Sequence, residues 1–261
     1  MRAQDHNSRV SCQPRQNIQA VGADRYTASA RRERGCAIVR SRRAWHPSAR
    51  ALNCTLGDVM QGHEWYPAEP HQANEWLQHF AALWWVAGGW AIELFLEQRT
   101  RAHTDLDVGV LRHDVATLHG ALPEWEFFEA KDGQLIELKH GVLPRANVHS
   151  LWCRRRGSSV WELEVMLEQA IDDEWVYRRQ PMIRRPLTTV LRHSKCGLRY
   201  LAPEVQLLYK SKHVRHRDDA DLCSALPRLS KTARAWLRDA LIATEPDHAW
   251  VGQIDRASLV G

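Results

Sequence analysis

The 261 residues are 44% hydrophobic and 26% charged, the balance of a water-soluble globular chain holding one large core or two modest ones. The formal net charge of +5 arises wholly at the start: residues 1–50 hold 11 Arg against Asp5, Asp24 and Glu33, and the remainder carries 25 Lys and Arg against 28 Asp and Glu. A mildly acidic body excludes a broad basic nucleic-acid-binding face, and no apolar run reaches the roughly 18 residues that a membrane-spanning helix needs.

Residues 1–60 are rich in Arg, Ser, Gln and Ala and sustain neither a strand nor a helix period, so this segment is expected to be poorly ordered. It reads as a transit peptide, a basic arm or, the preferred reading, residues added by an upstream start codon that the fold does not use. Cys12, Cys36, Cys54, Cys153, Cys196 and Cys223 form no C-x-x-C pair and no zinc spacing, which points to free thiols in a reducing, cytoplasmic compartment.

From about Pro70 short elements alternate. Ala73 to Ala82 reads as a helix, Leu83 to Ala87 as a buried strand, and Trp90 to Glu97 as a helix with Ile92, Leu94, Phe95 and Leu96 apolar. Asp105 to Leu111 alternates as a strand, and His113 to His119 is helical. Strand-like runs follow at Glu124 to Ala130, Leu135 to Lys139, His149 to Arg154, Trp161 to Leu167 and Trp175 to Arg179. After Pro186 the pattern turns helical, with Pro203 in a first turn and Val205, Leu208, Tyr209 and Lys212 on one face, and Thr232 to Ala243 forms a last amphipathic helix. These elements predict an α+β catalytic domain at 70–185 and a helical C-terminal subdomain at 186–250.

The chemistry concentrates at Gly88-Gly89-Trp90 and Asp105-Leu106-Asp107. Alternation puts Asp105 and Asp107 on one face of their strand and Leu106, Val108 and Val110 on the other. Two carboxylates about 6 to 7 Å apart on one strand face repel unless a divalent cation bridges them. Mg²⁺ takes such oxygen ligands and shares them with substrate phosphates. Gly88 and Gly89 open a helix, where unpaired backbone N–H groups and the dipole favour an anion and no Cβ blocks a phosphate.

Trp85-Val86-Ala87-Gly88-Gly89-Trp90-Ala91-Ile92, followed by Thr100 to Val108, resembles the signature of aminoglycoside adenylyltransferase-like and lincosamide nucleotidyltransferase-like proteins of the polymerase-β-like superfamily. More loosely, the likeness extends through Trp161 to Leu167, Trp175 to Arg179 and Tyr200 to Glu204 toward Lys210 and Lys212. The resemblance implies a mixed sheet with flanking helices and a helical C-terminal part. It also implies transfer of a nucleoside monophosphate, AMP from ATP first among them, to a hydroxyl of a small acceptor such as an aminoglycoside or lincosamide. In that scheme Asp105 and Asp107 hold Mg²⁺, and Gly88 and Gly89 contact the triphosphate.

The family also uses a third acid from a neighbouring strand as metal ligand or base. Glu162, Glu164 and Glu168 share one strand face, and Glu164, in mid-strand, is the choice; all three also fit a solvated face. Lys212, in the middle of an apolar stripe, should pack inward and need an anion, either the triphosphate, with Lys210 as second candidate, or Glu204 or Asp218 in a salt bridge. Arg101 and His103 either order the loop before the metal strand or touch substrate. Asp218, Asp219 and Asp221 fit a helix start better than a second metal site. Two rival readings remain: a toxin-antitoxin-type nucleotidyltransferase acting on protein or tRNA, tRNA being disfavoured by the acidic body, and a catalytically silent nucleotide-binding module.

Overall fold

The structure, a computed structural model, describes residues 63–259, so the expectation for residues 1–60 lies outside the described residues. Helix α1 (Pro70–Trp76) starts on a proline suited to a first turn, with a reciprocal Glu69–Gln72 cap at that same N-terminal end. It ends six residues before the predicted limit. Strand β1 (Trp84–Val86), wholly buried, runs into helix α2 (Gly88–Leu96), and β2 (Asp107–Leu111) follows after a loop. Helix α3 (Val115–Ala121) leads to β3 (Trp125–Lys131), β4 (Gln134–Leu138), β5 (Ser150–Arg155), β6 (Leu163–Ile171), β7 (Glu174–Val176) and β8 (Arg184–Pro186).

A single turn of helix α4 (Leu187–Val190) separates β8 from β9 (Leu191–His193) and β10 (Arg199–Leu201). These two strands correct the helical reading after Pro186. Each is only three residues long, too short to display a period, and β10 lies parallel to β1 at Val86 and Tyr200, so the chain returns to the sheet before its last helices. Those are α5 (Pro203–Lys210), α6 (His216–Ala225), α7 (Lys231–Thr244) and α8 (Ala249–Leu259). α6 places Asp218 and Asp219 in its first turn, and α8 had no counterpart in the sequence reading.

The main sheet runs β4-β3-β5-β6-β2-β1-β10-β9, with β7 pairing the end of β6 and β8 pairing β7. β2 and β6 are parallel with Asp107 opposite Glu164, and β1 and β2 are antiparallel with Val86 opposite Val108. This mixed order, with helices flanking it, is the α+β architecture that the alternating elements predict. Leu106, Val108, Val110, Leu163, Val165 and Leu167 form the apolar back of the central strands, all at 2% exposure or less. The ends of β1, β2 and β6 that carry Ala87, Asp107 and Glu164 therefore converge at one edge, with α2 and α5 beside them. Among the described residues no helix is long and apolar enough to cross a membrane.

Candidate active site

Strand β2 begins at Asp107, so Asp105 lies in the loop just before it and not on the predicted strand. The ladder to β6 also starts at Asp107, leaving Asp105 without a strand partner, although the Leu106 carbonyl accepts the Glu164 N–H at 2.9 Å. The carboxylates still face one another. One oxygen from each of Asp105, Asp107 and Glu164 lies within 4.8 Å of the other two. The parallel β2–β6 register brings Glu164 there. Glu162 precedes β6 and pairs with Arg155 at 3.4 Å, while Glu168 is buried further along, accepting the Tyr209 hydroxyl at 2.6 Å and the Trp175 indole N–H at 2.9 Å.

Burial is the main cause that pushes the Asp107 carboxyl well above the ordinary carboxylate range; the charges of Asp105 and Glu164 add to it, and Lys210 and Arg215 oppose it. Glu164 is likewise raised, first by burial and also by Asp105, against the hydrogen bond that Ser150 Oγ donates at 2.6 Å. With Asp105 facing them, the carboxylates form an electrostatically frustrated cluster. Their hard oxygen donors and mutual repulsion fit a divalent cation such as Mg²⁺.

The glycines at the start of α2 serve a purpose different from the open phosphate approach that the sequence suggests. Gly88 has φ +63°, and a Cβ there would meet Asp107 Oδ2; at Gly89 it would meet an Arg101 guanidinium nitrogen at 2.1 Å. The two positions are bare because side chains of the site itself fill the space. The Gly88 N–H is held by Gln206 Oε1 at 2.8 Å, so a buried amide on α5 already uses one N–H of the helix start. Gln206 escaped the sequence reading, although a polar residue between Val205 and Leu207 on a buried helix is a signal for it.

Lys212 requires a correction. Helix α5 ends at Lys210 and tightens into a 3₁₀ turn over Ser211–His213, so the stripe of Val205 and Leu208 does not continue and Lys212 is exposed on the pocket wall. Lys210 is the inward lysine. Its Nζ lies 2.9 Å from both Asp218 and Asp221, and Arg101 Nε approaches Asp221 at 3.4 Å. Glu204, the other partner considered for Lys212, is taken by Arg185 at 3.0 Å and Arg192 at 3.2 Å. Asp218 and Asp221 thus hold cations and belong to no second metal cluster among the described residues.

The loop ahead of Asp105 is tied to α2 by buried Glu93. Its Oε1 accepts the backbone N–H groups of Thr100 at 2.9 Å and Arg101 at 3.0 Å and the Thr100 hydroxyl at 3.0 Å. His103 Nε2 lies 2.9 Å from the same oxygen, and its ring stacks on Trp90 at 4.2 Å. His103 therefore orders the loop. Arg101 orders it too, yet also lines the pocket. That pocket, about 630 Å³, opens over Asp105, Asp107 and Glu164 and is bounded by Gly88 and Gly89 on one side and Glu168 and Tyr209 on another. His63 and Trp65, which also line it, carried no sequence signal.

A mixed sheet that gathers three carboxylates opposite a Gly-Gly helix start is an arrangement suited to nucleotidyl transfer assisted by a divalent cation. Residues 71–222 match the profile of the aminoglycoside-2''-adenylyltransferase family, and the chain belongs to that family. It is accordingly an enzyme of the nucleotidyltransferase class. No curated protein sequence matches it. Similar solved structures include lincomycin-bound LnuA, a lincosamide antibiotic adenylyltransferase, at 14% identity and a TM-score of 0.42 over 59% of this chain and 92% of that one. ANT(2'')-Ia in complex with adenylyl-2''-tobramycin is 13% identical with a TM-score of 0.39, over 73% of this chain and 92% of that one. A nucleotidyltransferase-like antigenic protein from Paracoccidioides brasiliensis is 18% identical with a TM-score of 0.39, over 71% and 89%. At these distances family membership rests on the profile match alone.

Proposed function

We propose that the chain transfers AMP from ATP to a hydroxyl of a small molecule of the antibiotic classes named by its family and its structural neighbours, aminoglycosides and lincosamides. The observation that carries this reading is the meeting of Asp105, Asp107 and Glu164 at one edge of the sheet, within reach of the Gly88–Gly89 helix start. Asp105, Asp107 and Glu164 would hold Mg²⁺, which when bound supplies charge neutralisation for the attacking and leaving oxygens.

The side chains divide the remaining work. Arg101, which lies against Gly89, and exposed Lys212 on the pocket wall bind the triphosphate, and buried Lys210 contributes its field while held by Asp218 and Asp221. Glu164 has a carboxyl raised above its ordinary value by burial first and then by the charge of Asp105, and it is the acid placed to take the proton of the acceptor hydroxyl as that oxygen attacks the α-phosphorus and pyrophosphate leaves. Ser150 fixes Glu164 through the oxygen it holds. The reaction belongs in the cytoplasm, where ATP is abundant and the described cysteines Cys153, Cys196 and Cys223 stay free thiols.

The test is pyrophosphate release from each of the four NTPs with Mg²⁺ across aminoglycosides and lincosamides, with mass analysis of the product. Acceptor-dependent release with a product heavier by one AMP supports the reading. Release only with a protein or tRNA acceptor would replace it by the macromolecule-modifying alternative, and ATP binding without release by the silent module.

A further inference from the structure

Within helix α5, Val205, Leu207 and Leu208 are fully buried, and Gln206 sits among them at 7% exposure. Its Oε1 accepts the Gly88 N–H at 2.8 Å, and because a backbone N–H can only donate, this contact fixes which end of the amide faces α2. The Nε2 end, with its two N–H donors, is therefore turned away from Gly88. It donates to no described residue. Gln206 lines the pocket over the three carboxylates, so the uncommitted end opens into that space.

Buried donors in folded proteins are almost always matched, and leaving one without an acceptor costs more than a typical hydrogen bond returns. An apolar side chain would fill the same place on α5 without that cost. The cationic donors nearby are committed differently: Lys210 Nζ is shared by Asp218 and Asp221, and Arg101 approaches Asp221. Gln206 differs from them in carrying no charge. That matters beside Asp107, whose Oδ2 lies against Gly88. A lysine or arginine at this point would pair with Asp107 and compete with the divalent cation that the trio suits, whereas an amide supplies donors without that competition. Accepting the Gly88 N–H also polarises the amide and strengthens its own N–H groups as donors.

We propose that Gln206 is a phosphate-binding residue that extends the start of α2 into the pocket, donating from Nε2 to a non-bridging oxygen of the nucleotide's triphosphate. The proposal rests on the reading of this pocket as a nucleotidyl-transfer site, because the triphosphate then lies at the Gly88–Gly89 end. It gives the side chain two separable tasks. Oε1 holds Gly88, and Nε2 holds the ligand, as a neutral contact beside the charged ones of Arg101 and Lys212.

The full chain, as wild type, Gln206→Met and Gln206→Glu, is titrated calorimetrically in Mg²⁺ with α,β-methylene-ATP and with inorganic tripolyphosphate. Binding of Mg²⁺ alone is read from the rise in melting temperature. Gln206→Met fills the space and removes both tasks, and Gln206→Glu keeps an oxygen for Gly88 and removes the donor. Gln206→Met should weaken both phosphate ligands about tenfold, the scale of one hydrogen bond to a charged group, with the Mg²⁺ response of the wild type. Gln206→Glu should bind both ligands at least as weakly, although it still holds Gly88. Undiminished affinity in either variant overturns the proposal, and in Gln206→Glu it reduces the residue to a tether of Gly88. A loss in Gln206→Met that comes with a lost Mg²⁺ response acts through the trio and overturns it as well. A loss confined to the ATP analogue, or a wild type that does not bind tripolyphosphate, assigns the contact to the nucleoside and overturns it too. If both ligands depend on Gln206 but ATP releases no pyrophosphate with any acceptor, the phosphate contact stands and the transfer reading falls. Acceptor-dependent transfer by Gln206→Met at the wild-type KM for ATP leaves the transfer reading standing and removes the contact.

Discussion

A Cβ on Gly88 would lie 1.7 Å from Asp107 Oδ2, so the carboxylate at the start of β2 occupies the space that any other residue at position 88 would fill. The glycine and the aspartate, nineteen positions apart, are one device. Gly88→Ala must either displace Asp107 from Asp105 and Glu164 or shift the start of α2, and its φ of +63° adds about 1–2 kcal/mol of backbone strain. The variant should lose transfer activity by about a hundredfold or more, the upper end of what disturbing a metal site costs, with a lower melting temperature. Wild-type pyrophosphate release from Gly88→Ala would show that Asp107 need not sit where it does.

How much of this was legible beforehand differs residue by residue. The alternation of Asp105, Leu106 and Asp107 puts acids in front and apolar side chains behind, but β2 begins only at Asp107, and Asp105 meets the other two acids from the preceding loop. That Glu164, and not Glu162 or Glu168, stands beside Asp107 depends on the β2–β6 register, a tertiary property that no local pattern encodes. Helical periodicity puts Lys212 inward, but the backbone tightens after Lys210, and the lysine that turns inward lies two residues earlier. The strands at Leu191–His193 and Arg199–Leu201 were invisible for want of length.

The frustrated trio gives the protein a metal- and pH-dependent stability. Asp107 and Glu164 have ordinary values of 3.8 and 4.5 and folded values raised above them. Above those ordinary values the unfolded chain has released protons that the folded chain still holds, so the folded state loses stability as pH rises through the window between ordinary and raised values. Thermal melts in EDTA should therefore fall in temperature from about pH 4 upward, and Asp107→Asn should flatten that slope. Mg²⁺ at 100 times its dissociation constant should add about 2.7 kcal/mol to the wild type and far less to Asp107→Asn. An Asp107→Asn enzyme that keeps full turnover would remove Asp107 from the site.

Asp218 works in the opposite sense. Burial raises its pKa, but hydrogen bonds from Arg215 and the charge of Lys210 outweigh burial and lower it from 3.8 to about 2. Its contribution, about 2 kcal/mol by linkage, is complete above pH 3.8 and is lost as the pH falls toward 2. Asp218→Asn should flatten the acid limb of the stability profile and cost about 3 kcal/mol at neutral pH, since Lys210 is left buried with one partner fewer. Lys212→Ala provides the contrast: an exposed side chain whose removal should leave the melting temperature unchanged and weaken ATP binding several-fold. A lower melting temperature for Lys212→Ala, with ATP binding intact, would reverse the roles assigned to the two lysines.

Glu93 never reaches the pocket, yet it holds the loop that delivers both Arg101 and Asp105 to it. Replacing it by alanine leaves two backbone N–H groups and the Thr100 hydroxyl without their shared acceptor, at about 1–3 kcal/mol for each buried group so stranded. Glutamine keeps a carbonyl oxygen in that place and loses only the charge, so Glu93→Gln should fold nearly as well as wild type while Glu93→Ala melts several degrees lower. Because Asp105 has no ladder partner of its own, the loop anchor controls how tightly it faces Asp107 and Glu164. In Glu93→Ala, assayed well below its melting temperature, kcat should fall about tenfold and the KM for ATP should rise as Arg101 loosens, since contacts a residue removed from the reacting atoms act through positioning. Glu93→Gln should recover most of kcat. A lowered melting temperature with unchanged kcat and KM would make Glu93 a stabilising residue of α2 alone, with no part in arranging the site.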